Sequence, residues 1–131
     1  MKDRACNDIT KEKSKQWHVY KKNLLLREQA KHNLIKARYH WYHTLANKMA
    51  ERLYQYYHVK NVYLIGSLLN IELFHQGSDI DIAVEGIQAI DYLSAWIDLE
   101  KIAQEQSFHL IDMNDISPEF KEKIQKHGKI L

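Results

Sequence analysis

The sequence predicts an α/β domain of the α+β kind: a small mixed sheet of about three or more strands with helices packed on it, preceded by a long N-terminal helix. Three observations predict it. Residues 12–57 contain no proline or glycine and carry apolar side chains at helical spacing. The period then changes at the β-prone run 62–65, which stops at Gly66. From there short apolar runs alternate with helical stretches, in the order helix, strand, helix, strand, helix, strand, helix.

Along the long helix, Leu34, Trp41, Leu45, Met49, Leu53 and Tyr57 recur at three, four or seven residues and predict one apolar stripe. Trp17, Tyr20, Tyr39, Tyr42, Tyr54 and Tyr56 widen it. Upstream, Leu24, Leu25 and Leu26 form a separate patch suited to a partner. Residues 1–28 therefore read as a helical extension, partly disordered at its start, and residues 29–131 as the folded domain. After Gly66, residues 67–74 predict a short helix and 80–84 a second strand, entered through Gly77-Ser78 and left at Gly86. Ile87, Ile90, Leu93, Ile97 and Ile102 predict a helix over 88–106, and 108–113 a third strand. Ser117-Pro118-Glu119 combines an N-cap, a first-turn proline and a first-turn acid, so a last helix runs to about Lys126 and stops at Gly128.

With 131 residues, 45% of them hydrophobic, the chain suits one compact domain. No apolar run is long enough to span a bilayer, and residues 1–15 are too polar for a secretory signal. Cys6 is the single cysteine, which excludes an internal disulfide. The expectation is a cytoplasmic protein without a membrane partner. Charge is uneven. Residues 1–60 hold 14 Lys/Arg against 5 Asp/Glu, and residues 61–131 hold 5 against 12. The basic half raises nucleic acid as a partner, but its charges are dispersed, which favours a solvated helix face instead.

Asp79 and Asp81 stand two apart at the start of a predicted strand, where alternation sends both carboxylates to one face. That pair suits hard cations such as Mg²⁺, and two such ions can clamp the attacking and leaving oxygens of a phosphoryl displacement. A D-x-D pair alone is weak evidence in a chain with 17 acids. The second element is Gly66-Ser67. A glycine at the end of a buried strand lets a ligand approach the backbone, and the amides of a following helix can face an anion. The Ser67 hydroxyl adds a donor. The downstream Gly-Lys-Ser/Thr of a P-loop is missing. Other candidates are weaker: His40 and His43 read as helical surface histidines, and Asp112, Asn114 and Asp115 lack the glycine and distal glutamate of a calcium loop. Trp41, Tyr42, Tyr54, Tyr56 and Tyr57 could stack bases, but helix packing accounts for most of them better.

From Gly66 to Asp81 the chain reads G-S, eleven residues, then D-x-D. The stretches Tyr63-Leu64-Ile65-Gly66-Ser67-Leu68 and Gly77-Ser78-Asp79-Ile80-Asp81-Ile82-Ala83-Val84 resemble the DNA polymerase β-like nucleotidyltransferase superfamily, and within it the stand-alone bacterial minimal nucleotidyltransferases. So do Ile116-Ser117-Pro118-Glu119-Phe120 and the closing Gly128-Lys129-Ile130-Leu131. The resemblance covers about residues 30–131. It implies transfer of a nucleoside monophosphate, AMP foremost, from ATP or another NTP to an acceptor hydroxyl. It also implies Mg²⁺ or Mn²⁺ on Asp79 and Asp81, and nucleotide contacts at Gly66, Ser67 and Ser78. A further implication is an all-helical HEPN-type toxin as acceptor and partner, beside which a second copy of the chain is the other partner the apolar patch allows. Two positions depart from the family pattern. Many members carry an arginine three residues after the serine, where this chain has Asn70. The third carboxylate, on a later strand, falls at His109, with Asp112 on the second and less critical position. Neutral imidazole suits softer metals than Mg²⁺, yet can serve as a general base. The alternative expectation is a catalytically weakened fold that binds or scaffolds its partner.

Overall fold

The structure is a computed structural model that describes residues 2–131, with side chains described from Lys11 onward. Its elements are α1 (Lys2–Tyr57), β1 (Asn61–Ile65), β2 (Ile80–Glu85), α2 (Tyr92–Ala103), β3 (Phe108–Asp112), α3 (Pro118–His127) and β4 (Lys129–Ile130). Short 3-10 turns occupy Gly66–Leu69 and Ala89–Asp91. The chain divides into two compact units, residues 1–34 and residues 35–131. In the first unit every side chain from Lys11 to Leu34 is exposed, Trp17, Tyr20, Leu24, Leu25 and Leu26 included. Helix begins at Lys2, and Cys6 lies outside the described side chains.

In the second unit four strands form a mixed sheet in the order β3-β2-β1-β4. β1 pairs antiparallel with both β2 and β4, and β2 pairs parallel with β3. Alternation divides the strand side chains between two faces. Val62 and Leu64, Ile80, Ile82 and Val84, and Leu110 pack with Tyr42, Leu45, Met49 and Leu53 of α1 and with Ala95, Leu99 and Ala103 of α2. Tyr63 and Ala83 pack with Met113 and with Ile124 of α3. Asp81 and His109 belong to the α3 face by the same alternation.

Helix phase differs from the predicted stripes. On α1, Leu34 and Trp41 are exposed while Tyr42, Ala46 and Ala50 are buried beside Leu45, Met49 and Leu53. Tyr39, Tyr54 and Tyr57 pack at the margin of this core, and Tyr56 stays exposed under the Arg52 guanidinium. On α2 the shift is larger. Ile90, Leu93 and Ile97, predicted to face inward, are exposed, and the buried residues are Ala95, Leu99 and Ala103. The 3-10 turn delays the helix to Tyr92, and two alanines let its backbone approach the sheet closely, so small residues set the phase where the apolar count favoured large ones.

The last helix has its predicted caps. Ser117 Oγ accepts from Phe120 N at 3.2 Å, Pro118 opens the helix, and Gly128 N donates to Ile124 O at 2.7 Å. The unpredicted element is β4, whose two residues lie against Tyr63 and Leu64 of β1. Tyr54 anchors this edge: its hydroxyl accepts from Val62 N at 2.9 Å and donates to Leu131 O at 3.0 Å.

Candidate active site

The sheet register brings the candidate residues together. Ile65 of β1 stands opposite Asp81 of β2, and Asp81 stands beside His109 of β3. Asp79 lies one residue before β2. His109 Nδ1 donates to Asp81 Oδ1 at 2.8 Å and lies 3.9 Å from Asp79 Oδ2, so both carboxylates gather around one imidazole. The three side chains remain partly open to solvent. Asp112 is not part of this group. It is buried, and its Oδ1 accepts from Asn114 N at 2.9 Å, closing the turn after β3. Strand alternation separates His109 from Asp112, as their three-residue spacing requires.

Gly66 makes room for Asp81. A methyl group at Gly66 would stand 2.5 Å from Asp81 Oδ2, and the Gly66 φ of +77° lies in the left-handed region that favours glycine. Thus Asp81 directs one oxygen to His109 and the other to the open backbone at Gly66. Beyond Gly66 the structure departs from the expected helix over 67–74. Only the 3-10 turn Gly66–Leu69 forms, and Asn70 leaves helical geometry at φ −146° and ψ 124°. Asn70 Oδ1 accepts from Glu72 N at 3.0 Å, a local turn that competes with helix continuation. One turn carries little macrodipole, so the anion-attracting contribution expected of a helix N-terminus is small here. Ser67, half-buried, lies in this turn.

Ser78 is buried, and its Oγ accepts from His75 N at 2.9 Å while its own N donates to His75 O at 3.0 Å. These bonds close the turn that delivers Asp79. His43 has a related role. Its Nε2 donates to Leu68 O at 2.8 Å, fastening α1 to the turn after Gly66, and its ring packs edge-on against Tyr39 at 4.5 Å. Burial holds the His43 imidazole below its ordinary value, against the opposing pull of the Leu68 carbonyl. Sequence reasoning placed His43 on the surface. The i, i+4 pairing of Tyr39 with His43 on a stripe that also buries Tyr42 and Ala46 was the available signal.

Asp81, His109 and Gly66 line an open cleft of about 760 Å³ that continues along β3 to α3, past Trp96, Phe108 and Phe120 to Lys123 and His127. Two carboxylates suit a hard divalent cation that takes its remaining ligands from water and from substrate phosphates, which is how Mg²⁺ is held in phosphoryl-transfer sites. Among the described residues no three His, Cys, Asp or Glu side chains form a complete metal cage. Nor, among them, is any helix long and apolar enough to cross a membrane.

Comparison with known proteins gives the same architecture. A solved structure of a mutant toxin–antitoxin pair, MntA-HpeT, contains a chain that matches with a TM-score of 0.51 and 24% sequence identity, over 65% of this chain and 70% of that one. At that identity the likeness concerns the fold. No curated protein matches the sequence. The family model of the polymerase beta nucleotidyltransferase domain matches residues 47–131, which include every strand, both aspartates and the Gly66-Ser67 turn. The chain therefore belongs to the polymerase beta nucleotidyltransferase family.

Proposed function

We propose that this protein is a minimal nucleotidyltransferase that moves a nucleoside monophosphate, AMP foremost, from an NTP to a hydroxyl of a protein partner, breaking the α–β phosphoanhydride bond and releasing pyrophosphate. The observation that carries the proposal is the junction of Asp79 and Asp81 with the open backbone at Gly66, where a single methyl group would collide with an Asp81 oxygen. Asp79 and Asp81 would hold Mg²⁺ or Mn²⁺, and the backbone after Gly66 with the Ser67 hydroxyl would receive the phosphates. The metal would offset the charge that builds on the reacting phosphate oxygens. His109, with Nδ1 donating to Asp81, keeps Nε2 as the ring position able to accept a proton from an acceptor hydroxyl. Ser78 contributes by holding the turn before Asp79.

The partner expected is a HEPN-type helical toxin. The exposed Trp17, Tyr20 and Leu24–Leu26 region of the first unit is offered as its contact, or as the contact to a second copy. Deleting residues 1–28 should leave the remainder folded and weaken association by light scattering. A truncated chain that unfolds, or associates as before, would refute that assignment. The nucleotide site is tested by calorimetry with ATP and Mg²⁺ or Mn²⁺ on wild type and the Asp79→Asn/Asp81→Asn double variant. Equal affinity in the two would remove the proposed site.

A second reading has its own observation. The third position carries an imidazole already engaged with Asp81, so the site has one anionic ligand fewer for its cations. The chain would then bind its partner with slow or absent transfer. Incorporation of labelled AMP into the partner separates the readings. Gain on His109→Asp marks a weakened enzyme, whereas vigorous wild-type transfer lost in both His109→Asp and His109→Ala makes His109 catalytic. No transfer in any variant, with the partner still tightly bound, favours the binding role.

A further inference from the structure

The α3 side of the cleft has no part in the reading above. There Phe120, Lys123, Ile124 and His127 recur at the three- and four-residue spacing of one helix face and line the same cavity as Gly66, Asp81 and His109. Lys123 is the one permanently cationic residue of that lining, and among the described residues it makes no ion pair within 4 Å. A polyphosphate approaching two carboxylates needs such a group, because its own charge and theirs are alike. The turn after Gly66 does not supply one: its side chains are Ser67, Leu68 and Leu69, and Asn70 is engaged with the Glu72 amide.

We propose that α3 supplies the missing cation. Lys123, with His127 one turn further along, binds the phosphate chain of the nucleotide from the α3 side of the cleft. This rests on reading the cleft as a nucleotide site, and it adds residues outside the glycine-serine and aspartate motifs. Helix stability alone does not account for the placement. Lys126 and His127 lie in the last turn, where a basic residue offsets the helix dipole, but Lys123 lies before it. Glu119 and Glu122 sit with Lys123 along a neighbouring surface groove, so the cation has acidic neighbours on its own helix, and a flexible lysine stem lets it turn to the cleft instead.

The test is calorimetry on the full chain with two probes, Mg·ATP and magnesium tripolyphosphate. Lys123→Ala should weaken both by about tenfold, the usual size of one charge-assisted hydrogen bond, and Lys123→Arg should restore most of the loss. Lys126→Ala removes the same charge from the same helix but does not line the cleft, and should change affinity by less than about twofold, as distant surface charges do. Lys123→Ala binding as tightly as wild type, while Asp79→Asn/Asp81→Asn abolishes binding, would overturn this inference and leave the nucleotide site standing. An equal loss in Lys126→Ala would also overturn it, since the effect would then be general charge. Wild type binding neither probe would overturn both.

Discussion

Gly66→Ala puts the geometry of the site to its most direct test. The substitution acts twice. First, a φ of +77° becomes unfavourable once a Cβ is present, at a cost of about 1–2 kcal/mol. Second, the new methyl would stand 2.5 Å from Asp81 Oδ2, so the carboxylate must turn away. It cannot turn freely, because Oδ1 accepts from His109 Nδ1 at 2.8 Å, and breaking a half-open bond of that kind costs about 0.5–1 kcal/mol more. The sum is about 1.5–3 kcal/mol, or a fall in Tm of roughly 5–12 °C for a domain of this size. Gly86→Ala is the matched control. Its φ of +89° carries the same backbone cost, and its Cβ would meet Lys60 N at 3.0 Å, remote in the sheet from Asp81.

Both variants should therefore melt early, and only Gly66→Ala should lose affinity for Mg·ATP, by at least about tenfold if the displaced oxygen is a metal ligand. Thermal melts followed by circular dichroism give the first quantity and calorimetry below the melting range gives the second. Undiminished Mg·ATP affinity in Gly66→Ala would show that Asp81 Oδ2 is not needed where it lies. An equal affinity loss in both variants would assign the effect to stability alone.

Other perturbations follow from single contacts. Tyr54→Phe strands Val62 N and Leu131 O together and should cost about 1–3 kcal/mol by urea unfolding, with earlier hydrogen exchange at β4. Tyr57 is pushed up to about 12 by burial and then by its hydrogen bond to Asp98, so Tyr57→Phe should remove a late-titrating phenol in ultraviolet titration; the stability held in that phenol is present below its ordinary value of 10 and is lost between there and about 12. Asp98 is held below the carboxylate range by the Tyr57 hydroxyl first and Arg52 second, so its contribution is present above about pH 4 and lost as pH falls through its depressed folded value; the stability gap between wild type and Asp98→Asn should shrink over that fall. His43 is held low by burial, so its stability contribution is present above about pH 6.5 and is lost as pH falls through its depressed folded value, when a buried imidazole must take a charge although Nε2 still donates to Leu68 O; His43→Phe should flatten stability between pH 7 and 5 relative to wild type.

Legibility in the sequence divides along physical lines. Strand positions were readable because 62–65, 80–84 and 108–113 are short, apolar and bounded by Gly66, Gly77 and Gly86 or by polar turns. The α3 start was readable because Ser117 and Pro118 act locally, through one hydrogen bond and one fixed φ. Helix phase was not. Burial on α2 follows Ala95 and Ala103, which pattern reading counts as weakly apolar, and it leaves Ile90, Leu93 and Ile97 outside. β4 is two residues long and exists only because β1 offers an edge to pair with, a nonlocal cause that no window of sequence contains. At the site, the meeting of Asp81 with His109 required the parallel pairing of β2 with β3, which periodicity does not encode; the placement of His109 came from resemblance and alternation together. The contributions of His43 and Lys123 depend on which elements pack together, and the sequence showed the residues without the neighbours.

The two departures from the family pattern bear on each other through charge. An arginine at position 70 would add one positive charge to the phosphate side, and a carboxylate at position 109 one negative charge to the metal side. Asn70 and His109 remove one of each, so the net charge presented to a metal–nucleotide complex is unchanged while its distribution is not. On the proposed reading, a cation bound there would lack one anionic ligand and the phosphates would lack a donor near Gly66. Two contacts of the site bear on these losses. His109 donates to Asp81 Oδ1 and so fixes the orientation of that carboxylate, which would lessen the entropy it loses on binding a cation. Lys123 lines the α3 side of the same cleft without an ion-pair partner within 4 Å among the described residues. On that reading the nucleotide would be held less by metal charge and more by the walls of the cleft, and its affinity and the rate of transfer would be set by different residues.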